Sequence, residues 1–268
     1  MLIDTHCHLT SPGLVEQVDV VLARAAEAGV KRLILVGVNV ADAQAAAALL
    51  ANRPALYLVA GIHPHEAGRC DADSWTALTN LLRGARLPAD VCARIVGVGE
   101  TGLDWHYDFA PRARQEEVFE AHLALAVALQ LPIVIHARES EARVCEILAG
   151  HPQLADRVVW HCFSAGTDIA RRALDLGGHF SFTGVVTFKN ANTIREAASY
   201  VPLERLMLET DAPYLSPEPL RKVRPNEPAL LVHTARRLAE LRGVDFETLA
   251  AATTAAAVRF FRLPEVRP

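Results

Sequence analysis

The sequence lacks a basic excess: 27 Lys and Arg stand against 31 Asp and Glu, for a net charge of -4. Proteins that coat duplex DNA draw their affinity from Lys and Arg displacing counterions, so that passive role is excluded. A metal site could still grip one phosphate locally. Cysteine is scarce. The five residues (Cys7, Cys70, Cys92, Cys145, Cys162) are odd in number and show no Cys-x-x-Cys spacing, which argues against a disulfide framework and against a structural zinc module. No apolar run approaches the ~20 residues of a membrane span. Leu2-Ile3-Asp4-Thr5-His6 already reads as a strand, which leaves no room for a signal peptide. A cytoplasmic protein with no membrane partner is expected. Low-complexity tracts are also missing, and the run Ala45–Ala48 sits in a helical pattern as good helix former.

What is present is apolar and regular. Hydrophobic residues make up 51% of 268 positions, a length that suits one α/β barrel. Strand-like runs fall near Leu2–His6, Arg32–Gly37, Leu56–Ala60, Arg94–Gly99, Pro132–His136, Arg157–His161, Gly178–Phe182 and Arg205–Glu209. Between them lie helical patterns such as Leu14–Ala28, Arg112–Leu129, Arg138–Ala149 and Asp168–Leu176, and two more, Asn226–Arg242 and Asp245–Phe261, close the chain. Runs such as Leu33-Ile34-Leu35-Val36 and Ile133-Val134-Ile135 are apolar throughout, as parallel strands covered on both faces must be. Strand and helix in steady alternation give a parallel sheet. An open doubly wound sheet would place a Gly-rich phosphate loop after its first strand. Here that loop reads His6-Cys7-His8-Leu9. The expected fold is therefore a TIM-like (β/α)8 barrel, one domain over residues 1–268, with the Pro-rich stretch Pro213–Pro228 as a long loop after the last strand.

The chemistry lies at the strand ends. His6 and His8 end the first strand, His63 follows the third, and Glu100 ends the fourth. His136 and His161 end the fifth and sixth, and Glu209 and Asp211 end the eighth. In a barrel these ends share the face that carries active sites. Alternation along a strand points His6 and His8 the same way, groups Glu209 with Asp211, and turns Cys7 and Cys162 away as small core residues. A lone His-x-His on a strand is more often structural; a whole set converging from separate strands is not. His106, His122, His151 and His179 lack such placement and read as surface or core histidines, and His233 as a solvent-facing helix residue. Imidazoles with carboxylates suit first-row divalent ions, and a bridging carboxylate suits a pair of them. Two ions can stabilise both oxygens of a phosphoryl displacement, and Asp211 is placed to ligate and to accept the proton of the attacking water.

Taken together, these stretches resemble the TatD-type deoxyribonucleases, within the amidohydrolase-like barrels. The matching segments are Asp4-Thr5-His6-Cys7-His8-Leu9, Gly61-Ile62-His63-Pro64-His65, Gly97 to Asp104, Ile135-His136-Ala137-Arg138, His161-Cys162-Phe163-Ser164, Ser181-Phe182-Thr183-Gly184 with Thr187-Phe188-Lys189-Asn190, and Glu209 to Leu215. The resemblance implies metal ligation by His6, His8, Glu100, His136, His161 and Asp211, with Glu100 bridging two divalent ions (Mg, Mn or Zn). It implies catalytic parts for Asp211, Glu100 and Glu209, and substrate-binding or supporting parts for His63, Asp104 and Arg138. Arg138 suits a phosphate clamp, because its planar fork matches phosphate oxygens; an ion pair at a helix start is its alternative. Two departures lie outside the ligand set: Pro225 separates Arg224 from Asn226-Glu227-Pro228, and Ala256 stands where the family tends to carry Asn.

The implied activity is metal-dependent hydrolysis of DNA phosphodiesters, as an exonuclease at single strands or strand ends with a place in DNA repair. A pocket that takes one or a few nucleotides does not need a basic protein. An amidohydrolase acting on a small cyclic amide, ester or lactone is the alternative, though its two-metal members often use a modified lysine where this chain has Glu100. A non-catalytic binding barrel would have lost ligands, and none is lost. The choice of metal, the direction of digestion and the oligomeric state are not written in the sequence.

Overall fold

The computed structural model describes residues 1–85 and 87–265. Its strands are β1 (Leu2–Cys7), β2 (Val30–Gly37), β3 (Leu56–Ala60), β4 (Ile95–Asp104), β5 (Ile133–Arg138), β6 (Val158–Trp160), β7 (His179–Phe182) and β8 (Leu206–Leu208). Its helices are α1 (Val18–Glu27), α2 (Val40–Leu49), α3 (Ala72–Leu82), α4 (Ala89–Cys92), α5 (Arg112–Leu129), α6 (Glu141–Ala149), α7 (Thr167–Asp175), α8 (Asn192–Tyr200), α9 (Leu231–Arg242) and α10 (Phe246–Phe260). None among the described residues is long and apolar enough to cross a membrane. The contacts divide the chain into two compact units. A terminal unit takes Met1–Leu35, Cys162–Arg171 and His179–Pro268, and a central unit takes Val36–His161 and Arg172–Gly178.

In the central unit β3, β4, β5 and β6 pair in parallel, with Val59 opposite Gly97, Gly102 opposite His136 and Ile135 opposite Trp160. Every residue of β3 and β4 is buried, as expected for strands covered on both faces. Val98, Leu103, Phe119, Leu123, Ile133 and Ile135 fill the interior, and each such side chain contributes about 1.5–3 kcal/mol by leaving water. β4 runs on to Asp104, past the Gly99 expected from the sequence. The continuation depends on Gly102, whose φ of +137° is open to glycine and whose absent Cβ leaves room for the carbonyl oxygen of His136.

In the terminal unit β1 pairs with β2 and β7 with β8, both in parallel. β8 meets β1 through Asp211 N–H to His6 O (3.0 Å), His8 N–H to Ala212 O (2.8 Å) and the Thr5 hydroxyl to Leu208 O (3.0 Å). Arg24 on α1 forks onto Glu227, donating from Nε to Oε1 at 2.9 Å and from Nη2 to Oε2 at 2.5 Å. Ala256, one of the two departures from the family pattern, is fully buried in α10.

Several boundaries differ from the sequence reading for local reasons. α1 begins at Val18 and not Leu14: Val15–Gln17 form a 3-10 turn, and the non-helical backbone of Gln17 (φ -132°, ψ 30°) separates it from α1. α6 begins at Glu141 and not Arg138. Arg138 still pairs in β5, Glu139 takes a left-handed φ of 56°, and the Ser140 hydroxyl accepts Arg138 N–H. α9 begins at Leu231 and not Asn226, whose amide donates instead to Thr210 O at 3.0 Å.

Candidate metal centre

The central unit gathers its donors around one carboxylate. Glu100 and Asp104 stand an even number of residues apart on β4 and so share a face; both are buried. Glu100 Oε1 lies 2.8 Å from His161 Nε2, 2.9 Å from His136 Nδ1 and 3.3 Å from His63 Nε2. Hydrogen bonds then sort these imidazoles. His136 Nε2 lies 3.0 Å from Asp104 Oδ2, and donating there leaves the Nδ1 lone pair aimed at Glu100. His63 is the reverse case: its Nδ1 accepts the N–H of His65 at 3.1 Å, so its proton sits on Nε2 and points at Glu100. Burial pushes the His63 imidazole down to about 4, so it stays neutral.

His136 Nδ1 and His161 Nε2 are also only 3.3 Å apart. Lone pairs of two rings and a carboxylate oxygen converging at such distances repel unless a cation or a proton lies among them. Burial pushes His136 down, but the hydrogen bonds to Asp104 and Glu100 outweigh it and raise its basicity. The donor set fits a divalent first-row ion held by imidazole and carboxylate.

The terminal unit repeats the pattern. His6 Nε2 and His8 Nε2 face each other at 3.2 Å, with Asp211 Oδ1 at 3.8 and 3.3 Å. The two rings do point the same way, although β1 ends at Cys7 and His8 lies just beyond it. The support beneath is local. Asp4 is fully buried and accepts Thr210 N–H at 2.9 Å, and burial pushes its carboxyl up to about 7. Asn226 holds the Thr210 carbonyl beside Asp211.

Strand alternation does not group Glu209 with Asp211. β8 stops at Leu208 and Asp211 has a left-handed φ of 53°, so strand alternation does not reach them. Glu209 Oε1 instead accepts Cys162 N–H at 2.6 Å, and Oε2 accepts the Ser181 hydroxyl. Arg138 ends β5, exposed, with its guanidinium 5.0 Å over the Tyr107 ring.

Other residues depart from the sequence reading or were missed by it. Cys7 is buried as expected, whereas Cys162 is only half-buried. His233 is half-buried and not solvent-facing, and burial lowers its basicity. His122 is a core histidine: Nε2 accepts Ile62 N–H at 3.0 Å and Nδ1 donates to Val118 O at 2.7 Å. His65 received no role from the sequence, yet its Nε2 lies 2.8 Å from Asp104 Oδ2. Its spacing of two from His63, inside a stretch already singled out, was the available signal.

A family model described as TatD related DNase matches residues 3–262. The chain is 34% identical over 263 residues to "Uncharacterized metal-dependent hydrolase YabD" of Bacillus subtilis, covering 98% of this chain and 100% of that protein. It is 37% identical over 264 residues to "3'-5' ssDNA/RNA exonuclease TatD" of Citrobacter rodentium, covering 97% of each. Among solved structures, the TatD homologue YJJV of Escherichia coli K12 superposes with a TM-score of 0.90 at 31% identity, over 98% of each chain. The fold is accordingly the α/β, TIM-like (β/α)8 barrel expected from the sequence.

Proposed function

The chain belongs to the TatD related DNase family of metal-dependent hydrolases, and from that premise we propose that it is a divalent-metal-dependent exonuclease that removes nucleotides from single-stranded DNA or strand ends. The observation that carries this reading is the pair of matched donor sets, His6, His8 and Asp211 in one unit and Glu100, His136 and His161 in the other. The relative from Citrobacter is named for 3'-5' digestion of single-stranded DNA and RNA, and the same polarity is proposed here. DNA repair in the cytoplasm is the setting proposed for that trimming of strand ends.

His6, His8 and Asp211 would hold a divalent ion in one unit, and Glu100, His136 and His161 would hold one in the other. When bound, such ions stabilise the charge on the attacking and leaving oxygens of an in-line phosphoryl displacement. The side chains do the rest. Asp211, 14% exposed, accepts the proton of the attacking water on its carboxylate. His63, neutral with its proton on Nε2, donates to Glu100 in the protein alone and turns that proton to a phosphate oxygen when Glu100 is engaged by metal. Arg138, exposed at the end of β5, clamps phosphate through its planar fork. Asp104 is buried and fully engaged, which supports orienting His136 over touching substrate. Both oxygens of Glu209 are likewise occupied, which supports positioning of the backbone that follows His161 in place of proton transfer.

The test uses chelator-stripped protein with end-labelled single-stranded and duplex DNA, restoring Mg, Mn or Zn singly. Metal-restored shortening that disappears in Glu100→Ala and Asp211→Ala, with native circular dichroism, supports the reading. Digestion at the parent rate by both variants overturns it.

A further inference from the structure

The central unit carries an aromatic surface that the metal chemistry does not use. Tyr107 and Phe109, in the loop between β4 and α5, are 43% and 63% exposed. They do not hang loose in water. Their ring centroids lie 5.3 Å apart, Phe109 sits 4.7 Å from the His65 ring, and Tyr107 meets His65 edge-on at 5.5 Å. The loop backbone is fixed as well, since the N–H groups of His106 and Tyr107 both donate to Asp104 Oδ1 at 3.0 Å. The other oxygen of that carboxylate holds His65 and His136. One buried side chain thus ties the aromatic loop to a metal-donor histidine, and His65 lies 6.2 Å from His136 ring to ring. The guanidinium of Arg138 stacks on Tyr107 at 5.0 Å.

Exposed rings cost hydration free energy and are kept where something apolar and flat covers them. Here the covering group must suit a surface of two rings beside a cation, next to donors for divalent metal. A nucleobase with its attached phosphate has that chemistry: a π-face for the rings and a negative charge for the guanidinium. A protein partner would need a far larger patch than this.

Resting on the nuclease reading above, we propose that Tyr107 and Phe109 form a stacking platform for a base of single-stranded DNA, with Arg138 holding the adjoining phosphate. The platform recognises the base by its flat face and not by its hydrogen-bonding edge, so all four bases are accepted. It sets the position of the strand relative to the reacting phosphodiester. Tyr107 and Phe109 are substrate-positioning residues and take no part in proton transfer.

The test is steady-state kinetics with Mn on two oligonucleotides, one ordinary and one abasic at the terminal positions of the digested end. Phe109→Leu is expected to raise KM on ordinary DNA about ten-fold, with a much smaller change in kcat, because stacking on an aromatic side chain is worth this much per base. Phe109→Trp is expected to restore the parent KM, which a merely space-filling role would not require. On the abasic substrate the gap between parent and Phe109→Leu closes, because no base remains to stack. Parent-like KM for Phe109→Leu and Tyr107→Leu on ordinary DNA overturns the proposal while leaving the nuclease reading intact. So does a gap that persists undiminished on abasic DNA. A parent that cuts neither substrate overturns the nuclease reading itself, and the platform with it.

Discussion

Asp104 Oδ2, buried at the end of β4, lies 3.0 Å from Nε2 of the half-buried His136 on the adjoining strand β5. That hydrogen bond decides which nitrogen of His136 carries a proton and which faces Glu100. Burial alone would push Asp104 up, but the hydrogen bonds from His136, His65 and the Tyr107 backbone hold it well below the usual carboxylate range. Those hydrogen bonds favour its carboxylate form.

Asp104→Asn is therefore expected to keep the fold while loosening His136. An amide can accept from His136 only weakly, and it cannot serve His65 and the loop equally well. Metal affinity or activity is expected to fall about 10–100-fold. Metal titration of the stripped variant, beside its circular dichroism, checks this; parent affinity would show that His136 needs no such orientation.

Gly102→Ala tests the geometry of β4. The added Cβ meets the carbonyl oxygen of His136 in a backbone conformation, φ +137°, that side chains rarely adopt. A destabilisation of about 2–3 kcal/mol or more is expected, read as a lower urea midpoint at unchanged slope. A parent-like midpoint would mean that the β4–β5 approach relaxes freely.

These two residues also show how far the sequence could be read. The eight strands, their parallel pairing and the gathering of histidines and carboxylates near their ends were legible, because apolar runs and histidines recur at regular intervals. The extent of β4 was not. Gly99 and Gly102 look like strand enders, and only the pairing of Leu103 with Ala137 and of Asp104 with Arg138 shows that the strand continues. Asp211 does stand beside His8, but not through strand alternation, which does not operate there: its left-handed backbone turns the side chain toward that ring. The role of His65 was not legible beyond its spacing from His63, because its partner, Asp104, is 39 residues away. Hydrogen bonds of that reach leave no periodic trace.

His122 sets a pH dependence of stability. Burial lowers its imidazole from 6.5 to about 4 and outweighs the hydrogen bond to Val118 O, which favours the protonated ring; Nε2 accepts Ile62 N–H. The folded state thus binds a proton less readily than the unfolded chain. Its contribution is complete above 6.5 and is lost progressively as pH falls from 6.5 toward 4. At pH 5 the loss is about 2 kcal/mol. His122→Gln keeps an acceptor for Ile62 without a titrating ring. Urea midpoints at pH 7.5 and pH 5 are expected to fall less in this variant than in the parent, and an equal fall would remove His122 as a cause.

Asn226→Ala removes the amide that holds Thr210 O in place just before Asp211. Leaving that buried carbonyl unpaired is expected to cost about 1–3 kcal/mol. Metal bound through the terminal donors should weaken in parallel. A variant with lowered stability and unchanged metal affinity would separate the loop from the site.

The central claim is that each donor set, His6 with His8 and Asp211, and His136 with His161 and Glu100, is a seat for a cation. Counting Mn bound per chain after chelator treatment and reconstitution tests it most directly. The parent is expected to bind about two equivalents, and His8→Ala and His136→Ala each to lose about one or more. Parent stoichiometry retained in both variants, at undiminished affinity, would contradict the account.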